Sequence, residues 1–405
     1  MARDPRDQTQ SPIPGLSLET RLTQLGRAGV RIRGFVNPPL VRGSTVLHNS
    51  CAERREAGRH RLEQELIYGL LGTPTHFALE NALAAIEGGT RCQIVSSGLA
   101  AITTSLLAYL GTGDHCLVPD SVYGPTRHFC DTLLRQAGVE TTYYVPTIDP
   151  DSLAALFRPN TKVLFLESPG SHTFEMQDVP ALARVAHARG AAVLMDNTWG
   201  ILFFQPFAHG VDVSIQALTK YVGGHSDIIL GGIITARDSD WEKIRNASMT
   251  LGQYASPDDC WLALRGLRTL AARLKQQMES GLKVARWLAT RAEVYQVLYP
   301  ALPGAPGHAI WRRDYSGACS LFGVVFQPDI AEDSMIEMID SLELFGIGAS
   351  WGGFESLALP TTGTIRRTAA PPPLAGPAAR FHIGLEDPND LIADLERAFK
   401  HLRRV

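Results

Sequence analysis

Residues 91–111 read RCQIVSSGLAAITTSLLAYLG. An apolar run through Val95 stops at Ser96-Ser97-Gly98, and a stretch rich in Ala and Leu begins at once. This is a strand, a turn of small residues and a helix. The alternation recurs downstream. Short apolar, β-branched runs fall at Cys92–Val95, Cys116–Pro119, Thr141–Val145, Val163–Leu166, Ala191–Met195, Val211–Ile215 and Ile228–Thr235. Helix-like segments such as Pro125–Gln136 and Val179–Arg189 separate most of them. Continuous apolar strands between helices predict an α/β protein with a mostly parallel sheet of seven strands, covered on both faces.

Upstream, TPTHFALENALAAIEGG (73–89) reads as a helix. Thr73 can cap it, Pro74 suits its first position and Gly88 ends it. Leu79, Ala82, Leu83 and Ile86 follow the spacing of one buried face. Residues 1–15 read as a polar arm, 16–28 as a short helix and 30–60 as irregular chain. Beyond about residue 262 the pattern changes to one long amphipathic helix over Leu262–Arg291, then mixed segments ending in DPNDLIADLERAFKHLRR. TAAPPPLAG (368–376) reads as a surface loop. The organisation expected is an N-terminal arm and short helix over 1–61, a large domain over 62–262 and a smaller C-terminal α/β domain over 263–405.

A chain of 405 residues with a net charge of −3 offers no electrostatic footprint for nucleic acid or an anionic membrane. No apolar stretch is long enough to span a bilayer, and residues 1–15 lack an apolar signal core. The six cysteines show no CxxC spacing, so neither a zinc site nor a redox pair is expected. Free thiols and a cytoplasmic location are the expectation.

Ligands of open α/β sheets sit at the carboxyl ends of strands. Three features lie there. The free N–H groups at the helix start after Ser97 suit a phosphate, although the same turn serves as a plain helix cap. Asp196 ends AAVLMD; it suits a charged partner or a simple turn. Lys220 ends the run SIQALTK, 24 residues after Asp196, where a surface lysine is the ordinary reading. Taken together, a phosphate cradle, a carboxylate and a lysine are what pyridoxal 5'-phosphate requires: the lysine joins the cofactor's aldehyde, the carboxylate keeps its ring nitrogen protonated and the helix start holds its phosphate.

The chain also resembles the Cys/Met-metabolism family of pyridoxal-phosphate enzymes from about Thr20 to the C-terminus. The resemblance is carried by YGLLGTPTHFALENALAAIEGG (68–89), DSVYGPT (120–126), FLESPGSHTFEMQDVPAL (165–182), MDNTWG (195–200), DVSIQALTKYVGGHSD (212–227), RGLRTL (265–270), YPALPGAPGH (299–308), SWGGFESL (350–357) and RFHIGLEDPNDLIADL (380–395). It implies the aspartate aminotransferase-like fold (fold type I) and a homotetramer built as a dimer of dimers with shared active sites.

The resemblance also implies roles. Lys220 is the cofactor lysine, Asp196 the partner of the ring nitrogen, and Tyr123 stacks on the ring. Gly98 and Leu99 give backbone N–H groups to the phosphate, Thr219 adds its hydroxyl, and Tyr68 reaches the phosphate of a neighbouring subunit. Arg380 clamps the substrate α-carboxylate, and Ser350 and Trp351 line its pocket. Glu167, Asn197, His225, Ser226 and Asp227 are scaffold. Within the family, ESPGS and SWGG in place of E-[ST]-P-x-N and SLGG favour β-elimination from a thioether amino acid of the L-cystathionine type over γ-chemistry. One departure stands out. The family commonly has arginine two residues after the tyrosine of Y-x-R, and here that place is Leu70.

Overall fold

The computed structural model describes residues 15–27 and 35–405. The arm expected over 1–15 lies, but for Gly15, outside the described residues. The short helix after it is Leu18–Gln24.

Seven strands form the large sheet: β1 (Arg91–Val95), β2 (His115–Pro119), β3 (Glu140–Tyr144), β4 (Thr161–Glu167), β5 (Ala192–Asp196), β6 (Val213–Ala217) and β7 (Gly231–Thr235). Their order is β1-β7-β6-β5-β4-β2-β3, and only β7 runs against the rest. The central strands are apolar on both faces because helices cover both. Val163, Leu164, Phe165 and Leu166 are fully buried in sequence. Each such side chain contributes roughly 1.5–3 kcal/mol relative to exposure. The six co-directional strands bring their carboxyl ends to one edge, which carries Ser97, Tyr123, Glu167, Asp196 and Lys220 just beyond their strand ends or on the last residue.

The second sheet, all antiparallel, has the order β10-β11-β9-β8, from β8 (Val294–Leu298), β9 (Leu321–Phe326), β10 (Leu357–Pro360) and β11 (Ala378–His382). It meets the carboxyl edge of the large sheet. Trp199 Nε1 donates to Leu321 O at 3.1 Å, and the Tyr315 hydroxyl donates to Ser168 O at 2.6 Å. Asp120 accepts the backbone N–H groups of Thr368 and Ala369, both at 2.8 Å, and pairs with the buried Arg127, so the 368–376 loop is pinned just past β2.

Two expectations fail. Residues 30–60, read as irregular chain, include a helix at Cys51–Arg59, where Ser50 caps the start by accepting the Glu53 N–H. The helix expected over Leu262–Arg291 is two helices, Pro257–Leu267 and Leu270–Leu288. Thr269 breaks the path with φ −108° and ψ 2°. Gly266, packed closely on the Val222 carbonyl, stands just before the break, and its own carbonyl takes the Thr269 N–H at 3.2 Å and the Arg273 side chain at 2.9 Å; the Arg268 side chain donates across to Leu22 O at 2.9 Å and Leu25 O at 2.5 Å. The helix expected over 73–89 forms as Pro74–Glu87, with Gly88 in the left-handed region at φ 78°.

Candidate active site

A cavity of about 270 Å³ opens at the carboxyl edge of the large sheet, roofed by the SWGG loop and β11. Its walls include Gly98, Leu99, Tyr123, Asp196, Thr219, Lys220, Trp351 and Arg380. Eight of the residues singled out in sequence as cofactor or substrate contacts therefore meet in one place. Ser350 adjoins them by hydrogen bonds. Tyr68 is not brought into this cavity and stands half exposed.

The helix Gly98–Tyr109 starts at the cavity. Ser97 Oγ accepts the N–H of Ala100 at 3.0 Å, and Ser97 O accepts that of Ala101 at 3.0 Å. The N–H groups of Gly98 and Leu99 have no protein acceptor among the described residues, which leaves two donors and the positive end of the helix for an anion. Glycine is required at position 98 by close approach: a Cβ there would stand 2.6 Å from Ala217 Cβ.

Asp196 closes β5. Its Oδ1 accepts both the N–H of Thr198 at 3.0 Å and its hydroxyl at 2.6 Å. The Thr198 oxygen in turn accepts the N–H of Ala217 at 2.9 Å, so β6 is tied to the carboxylate. Oδ2 has no protein donor among the described residues. Burial pushes the Asp196 carboxyl up, against the pull of Thr198 and Lys220. Glu167 lies beside it, paired in register across β4 and β5. Burial, then the charge of Asp196, pushes Glu167 up to about 8. Its two oxygens accept the Tyr123 N–H at 2.8 Å and the Ser171 hydroxyl at 2.6 Å.

Lys220 follows β6 by three residues. Its Nζ donates to Ser350 Oγ at 2.7 Å and lies 5.4 Å from the Trp351 ring centroid. Burial, then the charge of Arg380, presses the ammonium down to about 8, with Asp196 opposing. Thr219 already donates its hydroxyl to Leu230 O at 3.3 Å and accepts from Leu230 N at 3.0 Å. Donation to a phosphate would need that O–H to rotate.

Arg380 sits in β11 and donates to Ser350 O at 2.9 Å, with no carboxylate paired to it among the described residues. Ser350 thus joins Lys220 to Arg380, from a backbone at φ 82° that non-glycine residues rarely adopt. Two residues past Arg380, His382 is buried and pressed down to about 3. Its Nε2 accepts the Gly352 N–H at 3.1 Å and so fixes the SWGG loop. Its place within RFHIGLED was legible, but not this task.

The residues past β4 also enter the wall: Gly170, Ser171, His172 and Phe174. The sequence reading assigned no contact to them. The rule that ligands gather at carboxyl ends of strands applies to β4 as to its neighbours, and it was the signal available.

The donor set fits pyridoxal phosphate. A glycine-lined helix start offers two free N–H groups, a buried carboxylate has one oxygen unpaired, and a lysine and an uncommitted arginine share the cavity. The α/β fold with this site defines a pyridoxal-phosphate enzyme of fold type I.

Comparison with known proteins agrees. Residues 19–400 match the model of the family described as Cys/Met metabolism PLP-dependent enzyme. A Rhizobium johnstonii protein, provisionally named a cystathionine beta-lyase, is 48% identical over 393 residues, 96% of this chain and 97% of its own. Cystathionine beta-lyase MetC of Escherichia coli is 41% identical over 393 residues, covering 95% of this chain and 98% of its own. The crystal structure of metB from Corynebacterium glutamicum superposes with a TM-score of 0.87 at 30% identity, over 95% of this chain and 98% of that one. The chain belongs to the Cys/Met metabolism family of PLP-dependent enzymes.

Proposed function

We propose that this enzyme cleaves the Cβ–S bond of L-cystathionine and related cysteine S-conjugates, releasing homocysteine or another thiol and an aminoacrylate that water hydrolyses to pyruvate and ammonia. Two relatives at 48% and 41% identity carry the name cystathionine beta-lyase, the first provisionally. The observation that carries the reading is the bridge at Ser350. It places a lysine pressed down to about 8 and an unpaired arginine on one residue at the cavity wall.

Gly98, Leu99 and Thr219 would hold the cofactor phosphate, Asp196 its ring nitrogen and Lys220 its aldehyde, with Tyr123 against its ring. Bound there, the cofactor supplies an electron sink for charge developing at Cα. Arg380 grips the substrate α-carboxylate through its planar fork. Ser350 and Trp351 line that end of the site. The Lys220 amine takes the Cα proton and holds it at Nζ. Lys220 or the Tyr123 hydroxyl then gives a proton to the departing sulfur. Tyr68, which stands outside its own cavity, fits a place at the phosphate of a neighbouring subunit in a homotetramer. No helix among the described residues is long and apolar enough to cross a membrane. The partner is a small thioether amino acid rather than nucleic acid or lipid.

The test is the keto acid released from L-cystathionine by the purified, cofactor-loaded protein. Pyruvate supports the proposal; 2-oxobutyrate would assign the enzyme to γ-elimination instead.

A further inference from the structure

His172 has no role in the chemistry above, yet it lines the cavity with Lys220, Trp351 and Arg380. The backbone explains why it lies there. Arg380 in β11 is directly opposite Gly323 in β9, and residues opposite each other in an antiparallel pair present their Cβ positions to the same face. A Cβ on Gly323 would stand 3.0 Å from His172 O and 3.3 Å from the Phe174 ring. The missing side chain at 323 is the space that the 170–174 segment fills, beside Arg380.

The segment is held firmly. Gly170 N donates to Glu175 O at 3.0 Å, and Ser171 Oγ donates to Glu167. Thr173 and Glu175 both take the Arg367 guanidinium at 2.6 Å. His172 and Phe174 adopt φ 64° and 54°, unfavourable for non-glycine residues and sustained only where the surroundings impose them. Nδ1 of His172 is buried with no hydrogen-bond partner. Nδ1 is thus closed off from the cavity, whereas Nε2 also has no protein partner among the described residues and is not buried, which makes it the ring nitrogen that a ligand in the cavity can reach.

We propose that His172 is a second ligand of the substrate α-carboxylate, its imidazole donating one N–H to the group that Arg380 grips. This rests on the reading of Arg380 as the carboxylate clamp. The imidazole suits the task because it is uncharged: burial, then the charges of Arg380 and Arg367, presses it down to about 4. A neutral ring keeps one N–H to donate and adds no repulsion against either arginine. The same low basicity makes it a poor general base at neutral pH.

The test uses the cofactor-loaded enzyme and two amines that differ only by a carboxylate, L-alanine and ethylamine. Binding is read from the change in visible absorption. His172→Leu should weaken L-alanine about tenfold or more, the loss expected for a hydrogen bond to a charged acceptor, and leave ethylamine unchanged. His172→Gln, whose amide N–H₂ lies near the place of the Nε2 donor, should return L-alanine binding to within about threefold of wild type. The loss in His172→Leu should be constant between about pH 6 and pH 9, because a neutral donor does not titrate there. Unchanged L-alanine binding in His172→Leu would overturn the proposal, as would equal weakening of both amines or no recovery in His172→Gln. A loss that disappears above about pH 7 would mean an imidazolium contact and would also overturn it. L-Alanine has no leaving group, so the result stands apart from whether the enzyme is a lyase.

Discussion

Lys220 Nζ and Ser350 Oγ are hydrogen-bonded at 2.7 Å across 130 residues of chain, joining the end of β6 to the loop before β10. The same serine receives Arg380 through its carbonyl at 2.9 Å. Lys220 and Arg380, the proposed proton carrier and carboxylate clamp, are therefore spaced by one residue, held in a strained conformation at φ 82°.

Ser350→Ala and Ser350→Gly both remove Oγ and keep the carbonyl that Arg380 uses. Both should lower kcat/KM by about 2- to 10-fold, the net worth of one hydrogen bond. They should differ in stability, since glycine relieves the positive φ and alanine does not. Steady-state kinetics with thermal melts checks this: equal kinetics and a higher Tm for glycine are expected.

Burial and Arg380 press Lys220 down to about 8. Only the neutral amine attacks an aldehyde, so uptake of pyridoxal phosphate by the apoprotein should accelerate as pH rises. The half-maximal rate should fall near pH 8, not near the ordinary lysine value of about 10.4. Stopped-flow absorption gives the profile.

Arg380→Lys keeps the charge and loses the bidentate fork. We expect kcat/KM for L-cystathionine to fall by about 10²- to 10³-fold, or about 2–4 kcal/mol, the cost of disrupting a desolvated charge-assisted pair. Near-wild-type kinetics in this variant would remove Arg380 from the carboxylate.

Glu167 is pushed up to about 8 by burial and the neighbouring Asp196. Between its unfolded value, about 4.3, and 8, the folded state binds more protons than the unfolded state. This contribution to stability is therefore complete at low pH and lost as pH rises through 8. Glu167→Gln can present its oxygen to the Tyr123 N–H and its amide to a rotated Ser171 hydroxyl. The apoprotein variant should show a flatter decline of Tm from about pH 5 to pH 8 than wild type. Parallel curves for the two proteins would contradict the raised value.

The sheet was legible because its strands are short, apolar and β-branched between helices, and Asp196 and Lys220 were legible because both follow such strands. The break at Thr269 was not. Leu264, Leu267, Leu270 and Leu274 are all buried and keep helical spacing straight through it. Gly266 stands three residues before it, but the leucines carry the period across, and the contacts around the break, Arg273 on Gly266 O and Arg268 on the carbonyls of the distant Leu22 and Leu25, come from the fold. Likewise, nothing local to His172 tells of a cavity. Its position depends on an absent side chain at Gly323, some 150 residues away, and on which strand lies opposite Arg380. Local periodicity records what a segment buries, not which partner it meets.

The central claim is that the chemistry is organised on Lys220. Borohydride reduction of the cofactor-loaded enzyme, followed by peptide mapping with mass spectrometry, tests it most directly. The account predicts the cofactor mass on the peptide that carries Lys220, and loss of both that adduct and turnover in Lys220→Ala. The cofactor on any other lysine, or turnover persisting in Lys220→Ala, would contradict it.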